Sequence, residues 1–257
     1  MSIVDTHCHA GESWFEPIEM LVHQMDTNGV DKALLVQHRG AFDNSYLLEC
    51  ASRYSGRFAV AALVDALEDG APSRLTEVAA QGAVAVRLTP GEPVALWRKA
   101  AELGLVVSCH GELEEFASDS FRDLVTGLPD LTVVLEHLLG ARQGDPAPYE
   151  TFGRALKLGE LPNTYVKIPG LGEISARPSV LLRRFRYEEP PPYIEMVCEA
   201  FGPRRMMWGS DYPPVSNREG YRNALQGVME HPALRIGEDL DWVMGKTALS
   251  VFGFGEG

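Results

Sequence analysis

Two histidines separated by one residue, His7 and His9, close an apolar run near the start of the chain. Along an extended strand, residues two apart share a face. Both imidazoles therefore project one way and Cys8 the other. Such a pair can share a metal ion: zinc bonds imidazole nitrogen at ~2.0–2.1 Å, and an open catalytic site takes about three protein ligands plus water. Other apolar runs also end on ionisable groups, namely Arg87, His110, Glu136-His137, Lys167 and Ser210-Asp211. A carboxylate at Asp211 could bind metal and also accept a proton from water. The alternation that groups Ser108 with His110 turns Cys109 away, so Cys8 and Cys109 read as packing residues. The chain has seven histidines. His23, His38 and His231 read as structural or solvated, although His38 ends a strand and could line the site.

These side chains need elements to carry them. Short β-rich runs recur at 3–9, 32–38, 58–65, 83–89, 105–111, 132–140, 164–170 and 206–212. Most are continuously apolar, as parallel strands covered by helices are. Segments with helical spacing lie between them. Ile18, Leu21, Val22 and Met25 form one stripe, and Tyr46, Leu47 and Cys50 another, with Asn44 or Ser45 as N-cap. Leu96, Ala100 and Leu103 form a third, ended by Gly104. Leu124, Val125 and Leu128, then Ile194, Val197, Cys198 and Phe201, then Leu225 and Val228 continue the pattern, and a last helix runs through Trp242, Ala248, Val251 and Phe252. Eight β-then-α units predict an α/β fold, a (β/α)8 TIM barrel, as one domain over 1–257. An open doubly wound sheet is the alternative, but no GxGxxG follows the first strand. In such barrels the active site lies at the C-terminal ends of the strands, where the ionisable residues stand.

The connection after the seventh strand, over 171–192, exceeds the ~2–6 residues usual in α/β units. It reads either as a surface excursion with a short helix at 180–185 or as a lid whose arginines face a negatively charged substrate.

Composition limits the partners. There are 36 acidic and 23 basic residues, a formal charge of −13. That balance repels phosphate backbones and anionic membranes, so a small-molecule substrate is expected rather than nucleic acid or membrane. Self-association into a homo-oligomer is left open. The four cysteines form no CxxC pair, which suits reduced thiols in the cytoplasm. No secretory leader is apparent, and no apolar run approaches the ~20 residues that span a bilayer.

The segments Asp5-Thr-His-Cys-His9, Leu135-Glu-His-Leu138, Tyr165-Val-Lys167 and Trp208-Gly-Ser-Asp-Tyr-Pro213 resemble the amidohydrolase superfamily, in its "amidohydrolase 2" branch. Asn44-Ser-Tyr-Leu-Leu, Gly56-Arg-Phe and Gly245-Lys-Thr-Ala-Leu fit the same branch, and the likeness covers nearly the whole chain. That branch includes sugar lactonases, pyrone-dicarboxylate lactonase and aromatic-acid decarboxylases. The resemblance implies a distorted barrel and hydrolysis at a carbonyl. It also implies His7, His9 and His110 as metal ligands, Asp211 as ligand and general base, and His137 as the group that polarises the substrate or shuttles protons. Arg87 stands where a bridging carbamylated lysine would end the fourth strand, which argues for one divalent ion, zinc in the first instance, rather than two. Some lactonases of the branch work without metal, and that route stays open. Arg87 and Lys167 would bind a substrate carboxylate, or else close internal salt bridges with Glu136 or Asp5.

The expected function is a lactonase opening a carboxylated or sugar-derived lactone. Alternatives are non-oxidative decarboxylation of an aromatic acid on the same site and metabolite binding without turnover. Serine hydrolysis is not expected, since no GxSxG elbow is present.

Overall fold

The computed structural model describes residues 1–181, 187, 190–234 and 237–255. Eight parallel strands follow one another around a single sheet: β1 (Val4–Cys8), β2 (Lys32–Val36), β3 (Phe58–Ala62), β4 (Ala85–Leu88), β5 (Val106–Cys109), β6 (Val133–Leu135), β7 (Thr164–Ile168) and β8 (Met206–Trp208). The ring closes where Cys8 bridges Tyr212, with His9 N donating to Tyr212 O at 2.7 Å and Asp211 N to His7 O at 2.8 Å. This is the (β/α)8 barrel that the alternating pattern predicts, and each strand falls within its expected run.

Alternation along each strand sorts side chains into two layers. Outward residues such as Leu35, Val60, Val86, Val107, Leu135 and Ile168 pack under the helices. Inward residues form a smaller plug of Leu34, Val36, Ala59, Ala61, Ala85, Val106, Val134 and Met207, sealed from below by Ala248 and Phe252. Two residues further up, the inward positions become Arg87, Ser108, Glu136 and Lys167, all buried. The barrel therefore has an apolar floor and a polar ceiling, and the ceiling lies at the C-terminal mouth.

The first strand departs from simple alternation. Val4 belongs to the inner plug, so an unbroken period of two would turn His7 outward. The register against β2 slips between Asp5 and Cys8, and Cys8 lies in the outer layer. This irregularity resets the phase and turns His7 inward, a common use of bulges at barrel rims. Asp5 holds it, accepting from His7 N at 3.1 Å, Ser210 N at 2.9 Å and Tyr221 Oη at 3.0 Å.

The helical stripes occupy helices at Ile18–Asn28, Ser45–Arg53, Val94–Glu102, Asp119–Thr126, Tyr193–Phe201 and Tyr221–Met229. The helix at Ala71–Ala80 was not marked by a stripe. Asn44 takes the N-cap position, but its side chain does not cap the helix. It exchanges bonds with Leu63 N and O at 2.9 Å, tying the β2 loop to the end of β3. The closing helix opens at Asp239–Asp241 and passes through a π-helical turn, Trp242–Lys246, where Gly245 lies so close to Ser2 O that a Cβ would collide. After β7 comes a short turn, Leu171–Glu173. Most of the helix expected at 180–185, with the arginines at 183, 184 and 186, lies outside the described residues. No helix among the described residues is long and apolar enough to cross a membrane.

Candidate active site at the barrel mouth

Glu136 is the hub of the polar ceiling. Fully buried at the end of β6, it accepts from Arg87 Nη2 at 2.8 Å and from Ser108 Oγ at 2.7 Å. Lys167 Nζ lies 3.7 Å away, His7 Nδ1 3.6 Å and His110 Nδ1 3.4 Å. Burial pushes this carboxyl up, but the charges of Arg87 and Lys167 outweigh it and hold it well below the usual carboxylate range. The ends of β1, β4, β5 and β7 are thus tied to one anion at the end of β6. Arg87 and Lys167, expected to bind substrate, both face Glu136, one of the two salt-bridge partners weighed for them. Asp5, the other, faces outward at the bulge. Lys167 Nζ also donates to Ser108 Oγ at 2.7 Å and lies 3.2 Å from His7 Nδ1. Burial brings the ammonium down to about 8.

Above this layer, His7, His9 and Asp211 converge. His9 Nδ1 contacts Val36 O at 2.7 Å. A carbonyl only accepts, so that nitrogen carries a proton, and in the neutral imidazole the lone pair is on Nε2. Asp211 Oδ1 lies 3.6 Å from His9 Nε2 and 4.0 Å from His7 Nε2. His7 Nε2 is buried and makes no hydrogen bond to any described residue. Burial holds the His7 ring well below its ordinary value, which keeps it neutral.

This donor set fits a divalent cation. The three ligand atoms lie within 4.8 Å of one another, and tetrahedral ligands at ~2.0–2.1 Å from zinc stand about 3.3 Å apart. A buried, orphaned imidazole nitrogen beside a carboxylate oxygen is what a ligand would otherwise satisfy. His110, the expected third imidazole ligand, is not among the atoms so grouped. It faces Glu136, and its ring lies 6.1 Å from that of His137.

His137 leads a run of left-handed backbone through Leu138, Leu139 and Gly140, with φ of 47°, 49°, 57° and 73°. Three non-glycine residues in that region store strain. The turn sends the His137 ring back over His7, 4.6 Å between centroids. Its Nδ1 lies 2.9 Å from Glu173 Oε1. Burial opposes its charge, but Glu173 outweighs burial and raises the imidazole to about 9.

Glu173 and Arg218 were not singled out by the sequence. Arg218 binds Glu173 Oε2 at 3.2 Å through Nη2 and Asp211 Oδ2 at 3.1 Å through Nη1. The result is a chain of contacts from His137 through Glu173 and Arg218 to Asp211. Burial raises the Asp211 carboxyl, but His9, His137 and Arg218 overcome it and keep the group ionised below its ordinary value. The readable signals were a glutamate just past a Gly-x-Gly at the end of β7 and an arginine one turn beyond the Asp211 loop. His38 lies at the edge of the mouth against Phe15, 5.3 Å between rings. His23 is exposed and His231 is remote from the site, 3.9 Å from Glu195.

A family model described as amidohydrolase matches residues 4–254. The chain belongs to the amidohydrolase family. This amidohydrolase is 30% identical over 103 residues to the uncharacterized protein y4mH of Sinorhizobium fredii; the match takes in 40% of this chain and 32% of that protein. It also resembles a solved structure described as a probable 2-pyrone-4,6-dicarboxylic acid hydrolase from Acinetobacter baumannii with citric acid bound, at 18% identity and TM-score 0.75, covering 99% of this chain and 100% of the other. An amidohydrolase from Burkholderia multivorans with bound zinc is similar at 19% identity and TM-score 0.75, covering 98% and 99%. At these identities the solved structures support the barrel fold alone.

Proposed function

We propose that this amidohydrolase is a hydrolase that opens a small lactone, carboxylated or sugar-derived, by attack of water at the ring carbonyl. The observation that carries the reading is the pose of Asp211. Arg218 holds Oδ2, while Oδ1 points between the Nε2 atoms of His7 and His9. A carboxylate fixed by one oxygen and open at the other can take the proton of an incoming water and return it to the leaving alkoxide. His137, kept as imidazolium by Glu173, supplies a donor and a positive charge beside the developing oxyanion. Glu136 and its cations hold the ceiling rigid, and Lys167 Nζ, 3.2 Å from Nδ1, fixes the far side of His7.

His7, His9 and Asp211 would hold one divalent cation, zinc in the first instance. Bound there, it would supply Lewis-acid polarisation and lower the pKa of water towards ~7. The zinc in the Burkholderia multivorans amidohydrolase and the dicarboxylic acid named for the Acinetobacter baumannii structure support this reading. We place the enzyme in the cytoplasm, consistent with four cysteines that form no disulfide.

The test is a panel of lactones, with and without carboxylates, followed by product analysis. The reading expects ring-opened acid from at least one member. Carbon dioxide from an aromatic acid, with no lactone opened, would replace it with decarboxylation.

A further inference from the structure

Around the mouth, most cations already have an acidic partner. Arg87 and Lys167 face Glu136, Arg218 bridges Asp211 and Glu173, and Arg142 pairs with Glu112. An incoming anion would have to compete with these carboxylates, which are buried or bridged except for Glu112, whose pair with Arg142 is exposed. Arg39, just past β2, differs. It is exposed and makes no hydrogen bond or ion pair to any described residue. Arg177 also lacks such a partner, but it lines a separate cavity beyond Arg218, without the histidines.

Arg39 stands on the wall of a cavity of about 280 Å³ whose inner end is formed by Arg87 and His110. Leu63, Val64 and Leu88 give it an apolar side. Phe42, 41% exposed, lies beside Arg39 at the rim. Two carboxylates share this wall: Asp65 accepts from Leu67 N at 3.0 Å, and Glu92 accepts from Thr89 N at 3.1 Å and feels the charge of Arg39, although no ion pair joins them. The cavity is near the lower bound for small-ligand sites, ~300 Å³. It offers apolar walls for a flat ring and a guanidinium that can meet a carboxylate through two parallel bonds.

We infer that Arg39 is a specificity-determining residue that binds the carboxylate of a flat, ring-shaped anionic substrate lying between it and His110. This rests on the proposed function and narrows it, favouring a planar carboxylated ring over a neutral, polyhydroxylated one. Arg87, by contrast, stays with Glu136 when substrate binds.

Calorimetric titration with isophthalate, a flat ring with two carboxylates and no bond to hydrolyse, tests the inference without turnover. Wild type should bind it, Arg39→Lys more weakly because the fork is lost, Arg39→Ala at least about tenfold more weakly than wild type, and Arg39→Glu weakest. Arg39 is exposed, so melting temperatures should not move. Equal affinity of wild type and Arg39→Ala, or no binding to wild type, would overturn the inference. If isophthalate binds through Arg39 while no lactone is opened, the proposed reaction fails and this anion site stands.

Discussion

Glu173 Oε1 lies 2.9 Å from His137 Nδ1, although the two residues leave the barrel on different strands. The contact ties the long connection after β7 to the strained turn after β6, and it decides the charge of the imidazole. His137 reaches about 9 against an ordinary 6.5. A raised folded value means that the associated stability is fully present below 6.5 and is lost as pH rises through about 9. In metal-free protein, Glu173→Gln should bring the His137 titration, followed by NMR of labelled imidazole, back towards 6.5 and flatten the loss of stability across that window. An unchanged titration would show that another group holds the proton.

Arg87 makes a different case, a cation that the sequence leaves between a substrate carboxylate and an internal salt bridge, and that lies 2.8 Å from Glu136. Removing one member of a buried pair leaves an uncompensated charge, at roughly 3–5 kcal/mol. Lys167 still faces the carboxylate at 3.7 Å, so Arg87→Ala should cost about 3 kcal/mol, the lower end of that range. Denaturant unfolding gives the figure. Full stability with only a raised KM would return Arg87 to the substrate.

Gly209 lets β8 approach the reset strand β1. A Cβ there would lie 2.7 Å from His7 Cβ and 3.0 Å from His7 N. The clash is with backbone and a buried stem, so it cannot be relieved by swinging a chain end. Gly209→Ala should cost about 1–3 kcal/mol and depress activity by displacing His7. Thermal melts and turnover of the same variant check both halves. A variant as stable and as active as wild type would contradict the close packing assigned to this position.

The barrel was legible because its signal repeats: apolar runs with polar ends, separated by helical stripes, survive small errors at any one element. The site was legible only in part. His7 and His9 point inward as local alternation suggests, yet they do so because of an irregularity that the sequence does not announce. Counted from Val4, the phase would have been wrong. Glu173 and Arg218 escaped because they sit on connections, where position follows from tertiary contacts rather than from a period. His110 was placed on the inward face, and its surroundings there could not be read from alternation. Glu136 lies across from it at 3.4 Å, and that carboxylate draws Arg87 and Lys167 as well. The helix at Ala71–Ala80 does carry a stripe, Ala71, Leu75 and Val78 at helical spacing, but only two of these are large apolar residues and the signal is weak.

The central claim is that Asp211 moves the proton in hydrolysis, and Asp211→Asn addresses it most directly. Asp211 has φ of 57°, a conformation that asparagine also adopts readily, so the variant should keep the fold and the bond to Arg218. Single-turnover opening of a lactone that the wild type accepts should slow by about 10²–10⁴-fold, with melting temperature nearly unchanged. Opening at the wild-type rate would contradict the account.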